Sequence, residues 1–203
     1  MSSTRLPNKV VKPILGQPMV LRQVERIRRS KKIDRLILAT STDPSDDVLV
    51  DICAKNGLDS FRGSLEDVLD RFYQAARQLN PDHIVRLTGD CPLTDPSLID
   101  DVIGFHIDGG FDYTSNAHEP SFPDGLDVEV MTIDCLRQAW EEASLPSQRE
   151  HVSLFIYQRP ERFRIGIYRN ETNMSELRWT VDNPADFEHV TAIYEALYND
   201  NPR

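Results

Sequence analysis

The chain has 203 residues, 39% hydrophobic and 28% charged, which suits one domain with a packed core and argues against wholesale disorder. Its net charge of −10 argues against non-specific binding to DNA or a membrane surface, which want a basic face. It leaves room for a nucleotide, because a few basic residues and a metal reverse the field locally.

Residues 1–9, MSSTRLPNK, are polar and basic, with Arg5 and Lys9 four apart and hydroxyls at Ser2, Ser3 and Thr4. Such a loop can wrap phosphate oxygens or be a frayed tail, and the pattern does not separate the two. Gln17-Pro18 opens a helix whose apolar face is Val20, Leu21, Val24 and Ile27. Its arginines, Arg22, Arg26, Arg28 and Arg29, read as a solvated face. Residues 35–40, RLILAT, read as a buried strand. Ser41 to Pro44 form a loop and helix start, and Asn56-Gly57 is a stop. Ser64, with Asp67 three residues on, reads as the N-cap of a helix over 65–79. Arg71 on that helix points at a ligand or pairs with Asp67 or Asp70.

Residues 83–93, HIVRLTGDCPL, are the centre of the pattern. Ile84 to Leu87 read as a short buried strand with one polar intrusion, Arg86, and Asp90 follows the Thr88-Gly89 break. A carboxylate just past an apolar strand lies where open α/β sheets bind ligands, and there it can hold Mg²⁺ against a phosphate. The bland alternative, a helix cap, suits Asp95 better. A helix over 98–107 and a short extended piece over 112–115 follow, then a Pro-broken loop.

Residues 125–131, GLDVEVM, alternate with period two, which sets Asp127 and Glu129 on one strand face. Two neighbouring acids repel unless a cation lies between them; a solvated face is the other reading. Helices over 134–143 and 147–157 and strands over 163–168 and 177–181 come next. Asp182 then repeats the logic of Asp90, and two such acids can chelate one hard cation. Asp182 can equally cap the last helix, over 185–198. Strands alternate with helices nearly throughout, so the expected class is α/β with a mostly parallel sheet. Cys53, Cys91 and Cys135 show no zinc spacing and are expected reduced and mostly buried in a cytoplasmic protein. No apolar run is long enough to cross a bilayer, and no secretory signal opens the chain.

Seven stretches, in order, carry a resemblance: STRLPNK (3–9), GQPM (16–19), RGSLEDVLDRF (62–72), RLTGDCPLTDP (86–96), DGLDVEV (124–130), REHV (149–152) and RWTVDNPADFE (178–188). Together they resemble the cytidylyltransferases of the spore-coat-polysaccharide type, relatives of the acylneuraminate and keto-deoxyoctulosonate cytidylyltransferases. The resemblance implies a nucleotide-diphospho-sugar transferase fold, Rossmann-like, in a single domain over 1–203. Its nucleotide half would span about 1–110 and its sugar-facing half about 111–203. It implies Mg²⁺-dependent transfer of CMP from CTP to a sugar acid, with pyrophosphate released, and suggests a homodimer. Ser3, Arg5 and Lys9 match the triphosphate loop, Asp90 and Asp182 the two metal carboxylates, and Arg71 a basic position near the nucleotide. Asp124, Asp127, Glu129, Arg149, Glu150 and His151 fall in the sugar-facing half. Relatives carry an apolar strand, roughly IIQAR, ahead of the STRLP segment. Here Met1 lies inside that signature, so the first strand is expected to be lacking and its neighbours to show unpaired edges. A glycosyltransferase of the same fold, or a non-catalytic nucleotide-binding module, are the alternatives.

Overall fold

The computed structural model describes residues 5–198. Leu15 and Gly16 both have positive φ, 47° and 74°, and turn β1 (Pro13–Ile14) onto an antiparallel β2 (Gln17–Pro18). Two-residue hairpin turns need that left-handed backbone. Helix α1 (Met19–Ile27) follows, and its arginines are not simply a solvated face. Arg22 is buried and donates to the carbonyls of Ile14 (3.1 Å) and Leu15 (2.9 Å), which holds the hairpin against the helix. Gln23 donates to Thr88 O and Arg26 to Thr94 O, both at 2.7 Å. The polar side of α1 thus pins the loop that carries Asp90.

Strand β3 (Ile37–Ser41) pairs in parallel with β4 (Asp59–Gly63) through α2 (Asp47–Lys55), and Gly57, at φ 60°, ends the crossover helix. Helix α3 (Val68–Arg77) begins three residues later than expected. Its cap is Asp67, which accepts from the Asp70 amide at 2.9 Å. Ser64 accepts from the Asp67 amide and serves the preceding turn. Strand β5 (His83–Arg86) leads to α4 (Pro96–Gly109), capped by Asp95 as expected. Next come β6 (Tyr113–Ser115), β7 (Glu129–Thr132) and α5 (Ile133–Glu142). The helix expected over 147–157 is two, α6 (Pro146–Glu150) and α7 (Leu154–Tyr157), because His151 leaves helical geometry (φ −100°, ψ 85°). Strand β8 (Ile165–Ile167) and helix α8 (Pro184–Leu197) complete the chain. Residues 177–181 are not a full strand: only a single bridge, Asp124 to Arg178, forms there.

The main sheet has the order β5-β7-β6-β8. Its β6–β8 pair is parallel, like β3–β4, while β7 runs antiparallel between β5 and β6. The α/β class stands, with β7 as an antiparallel insertion that makes the sheet mixed. Successive β7 side chains face opposite layers. Val130 joins Ile99, Val102 and Val128 under α4, and Met131 joins Leu69, Leu136 and Ile156 between α3, α5 and α7. All three cysteines are buried and free.

The sheet is in two pieces. Strand β3 pairs on one edge with β4, and β5 on one edge with β7. Among the described residues no strand pairs with their other edges, and both strands border one cavity of about 540 Å³.

Candidate active site

Two loops that leave the sheet region meet at one point. The chain over 180–181 lies against the Thr88–Asp90 turn, with the Val181 amide donating to Asp90 O at 2.8 Å and the Thr180 hydroxyl at 3.3 Å. Those bonds bring Asp90 and Asp182 together although they are far apart in sequence. Between them sits the Lys9 ammonium, 3.1 Å from Asp90 Oδ2, 3.1 Å from Asp182 Oδ1 and 2.7 Å from Val181 O. Lys9 reaches this point from a 3₁₀ turn over Lys9–Val11, entered through Asn8 in a left-handed conformation (φ 59°). Arg5 Nη2 lies 3.2 Å from Asp182 Oδ2. The cationic amino-terminal segment and the two acids are therefore one cluster. Ser3, expected in the same loop, lies outside the described residues.

Asp182 does not cap the last helix. That role belongs to Asn183, which accepts from the Asp186 amide, while Asp186 accepts from the Asn183 amide, a reciprocal pair at the first turn. The Asp182 carboxylate is left to the cations around it. Partial burial alone would raise its pKa, but hydrogen bonds from Arg178 and Lys9 hold it below the usual carboxylate range. Arg178 belongs to the same cluster. It bonds Asp182 at 2.8 Å and Asp186 at 3.3 Å, and also pairs with Asp124. Its position four residues before Asp182, near the start of an otherwise apolar run, was the available signal.

The second half of the site is buried. Asp127 is flanked by Asp124, Glu129 and Asp90, and its carboxyl is pushed up to about 6, first by burial and then by those neighbouring charges. Glu129 is not on a solvated face. It is 6% exposed and accepts from Tyr113, Ser153 and Arg86. Burial works against its charge, but Arg86 and the two hydroxyls keep the carboxyl below its ordinary pKa. Those interior bonds hold Glu129 beneath the Asp127 carboxyl. The polar intrusion Arg86 in β5 is explained by the same pair. His118 Nε2 lies 2.9 Å from the Tyr113 hydroxyl, and its ring packs on Tyr157 with centroids 3.9 Å apart.

Arg149 does not join Asp127. It forms a two-pronged pair with Asp67, at 2.6 to 3.0 Å, and donates to Trp140 O at 2.7 Å, tying α6 to the start of α3. Glu150 and His151 are exposed and, among the described residues, form no bond to Asp90 or Asp182. Arg71 pairs with neither Asp67 nor Asp70. Its Nη1 donates to Ser64 O at 2.8 Å, and its Nε is buried without a partner. A Cβ on Gly63 would lie 2.9 Å from the Arg71 side chain, so Gly63 is what lets Arg71 cross the end of β4.

The donor set suits a hard cation. Mg²⁺ takes oxygen ligands and is usually held by one or two carboxylates plus substrate phosphates, and Asp90 with Asp182 already converge on one positive charge. Among the described residues no group of three or more His, Cys, Asp or Glu is arranged to enclose a metal alone, so phosphate and water oxygens would complete the shell.

A mixed α/β sheet with paired acids and a cationic loop at one edge defines a nucleotidyltransferase-type fold. The cytidylyltransferase family model matches residues 1–200, and the chain belongs to that family. It is 37% identical over 202 residues to the spore coat polysaccharide biosynthesis protein SpsF of Bacillus subtilis, covering 96% of this chain and 83% of that protein. A solved cytidylyltransferase from Leptospira borgpetersenii superposes with a TM-score of 0.92 at 31% identity, over 100% of this chain and 91% of that one. A CMP:2-keto-3-deoxy-manno-octonic acid synthetase solved with CTP shares the fold at a TM-score of 0.70 and 17% identity, over 96% and 95% of the two chains. The chain is thus a transferase of the cytidylyl class. Among the described residues no helix is long and apolar enough to cross a membrane.

Proposed function

We propose that the chain transfers CMP from CTP to a sugar acid and releases pyrophosphate, with Asp90 and Asp182 holding Mg²⁺. The observation that carries this reading is the Lys9 ammonium held 3.1 Å from both acids, which sets a cationic loop and a two-carboxylate site in one place. A sugar hydroxyl oxygen attacks the α-phosphorus and gives up its proton to solvent, the bond from that phosphorus to the bridging oxygen breaks, and pyrophosphate leaves with the electron pair. When bound, Mg²⁺ supplies charge neutralisation at the phosphate oxygens. Lys9 and Arg5 neutralise charge on the departing pyrophosphate, and alignment with electrostatics supplies most of such catalysis. Arg178 holds Asp182 in place, and Asp124 and Asp127 border the acceptor side. The acceptor follows from the names of the relatives, since the synthetase with the same fold acts on a keto-deoxy sugar acid.

The test is pyrophosphate release from CTP across a panel of sugar acids, with and without Mg²⁺. Release that needs both the metal and one acceptor supports the reading. Free nucleoside diphosphate from a nucleotide sugar would instead mark a glycosyltransferase, and an absence of turnover with every acceptor would reject the proposal.

A further inference from the structure

Strands β5 and β6 both run antiparallel to β7, so they are parallel to each other and leave the sheet at one edge. Asp90 stands four residues past the end of β5, and His118 three residues past the end of β6. The carboxyl edge of an open sheet is where ligands bind. Asn116 fixes the loop that carries His118. It is buried, and its side chain donates to Leu126 O at 2.9 Å and accepts from the Val128 amide at 2.8 Å, which brackets Asp127. One clamp therefore holds both His118 and Asp127.

The interior sets the tautomer of the His118 ring. Glu129 is held ionised, so its carboxylate only accepts, and the Tyr113 hydroxyl gives its proton to it. The Tyr113 oxygen then has only lone pairs left, and His118 Nε2, 2.9 Å away, donates to it. Burial lowers the pKa of the ring, against the pull of the Glu129 charge. A neutral ring carries one proton, and that proton is on Nε2. Nδ1 is therefore a bare acceptor. Among the described residues it bonds nothing, and it is not enclosed. Tyr157 packs on the ring and limits its rotation. We propose that His118 Nδ1 accepts a hydrogen bond from a hydroxyl of the acceptor sugar and so selects acceptors with a donor at that point. This rests on the reading of the chain as a CMP transferase acting on a sugar acid. An analogue lacking that hydroxyl leaves the nitrogen unpaired, and a carboxylate or ether oxygen there sets lone pair against lone pair.

Two variants separate the ring nitrogens. His118→Gln keeps an N–H for Tyr113 and loses the Nδ1 acceptor, while His118→Asn sets an oxygen near the Nδ1 position and gives up the Tyr113 bond. The full chain is assayed with CTP, Mg²⁺, the panel sugar acid that releases pyrophosphate fastest, and the single-deoxy analogues of that acid. His118→Gln should raise the KM for the acceptor about tenfold and leave the calorimetric Kd for CTP unchanged, and His118→Asn should raise that KM less. One deoxy analogue should be about tenfold poorer than its parent with the wild type and equal to it with His118→Gln. Nitrogen NMR of the histidine-labelled wild type should show the bare Nδ1 resonance move when the acceptor saturates the protein. Three results would overturn the proposal: an unchanged acceptor KM in His118→Gln, a deoxy penalty that persists in that variant, or an unmoved Nδ1 resonance. Damage in His118→Asn alone would show that the ring only supports Tyr113. A wild type that releases no pyrophosphate with any acceptor would instead overturn the transfer reading itself, and this proposal with it.

Discussion

Replacing Lys9 with methionine removes one charge and keeps nearly the same length. In the wild type that ammonium is 13% exposed and lies 3.1 Å from each of two carboxylates that are themselves 30% and 22% exposed. At this separation each pair is worth about 5 kcal/mol of raw Coulomb energy at an effective dielectric near 20, but desolvation and partial exposure take back most of it. A charge-assisted hydrogen bond nets roughly 1.5–3 kcal/mol. With the bonds to both carboxylates and to Val181 O lost, and with Arg5 and Arg178 still on Asp182, a destabilisation of about 2–3 kcal/mol is expected after that discount. For a chain of this size that is a fall in Tm of roughly 4–12 °C. The variant should then respond to Mg²⁺ alone. A divalent ion entering between Asp90 and Asp182 no longer has to displace an ammonium, so added Mg²⁺ should raise the variant's Tm more than the wild type's. Thermal denaturation followed by near-UV circular dichroism, with and without millimolar Mg²⁺ and without nucleotide, measures both effects. A variant as stable as the wild type and indifferent to the metal would show that the two acids do not form one cation site.

The Glu129→Gln variant should lose about 3–5 kcal/mol in urea denaturation, because it leaves the Arg86 charge unpaired in the interior. Asp127→Asn should act in the opposite direction, and only at higher pH. The folded carboxyl titrates near 6 instead of its ordinary 3.8. Its stabilising contribution is therefore complete below about pH 4 and lost as pH rises through 6. The variant and wild type should match at pH 4, and the variant should be more stable by up to about 3 kcal/mol at pH 8, read from paired urea curves. Gly125 has a φ of 109°, and a Cβ there would fall 2.4 Å from the Thr180 amide. Gly125→Ala should therefore cut turnover at least about tenfold by shifting the chain that carries Asp182, a 1 Å displacement being costly in catalysis, and CTP-binding calorimetry would show whether affinity falls too. Unchanged turnover in that variant would separate the Gly125 loop from the Asp182 position.

The two acids were legible because each follows an apolar run and precedes a break, a local pattern. The fate of Asp182 was harder, since both it and Asn183 are good caps. Proline at 184 fixes the first helical position, and Asn183 then stands directly before it with Asp186 three residues on. Other features depend on distant partners and leave no local trace. Asp67 is at once the cap of α3 and the partner of Arg149, 82 residues away, and no local pattern shows that Arg149 ties α6 to α3. Strand β4 escaped notice because DSFRG carries only one large apolar residue. It is a strand through its pairing with β3, not through its own hydrophobicity. The division of the second sheet-covering helix into α6 and α7 turned on the backbone of His151, where the residue type carries no strong preference.

Arg178 grips three acids from different places: Asp124 in the loop ahead of β7, Asp182 at the cation cluster and Asp186 in the first turn of α8. One guanidinium cannot serve all three equally well. Any ligand that draws Asp124 away frees part of Arg178 for Asp182, and neutralising Asp182 frees it for Asp124. Asp124 and Asp182 are thus joined by a shared counter-ion, and thermodynamic reciprocity requires that a ligand bound at either acid alter the affinity for a ligand at the other by the same factor.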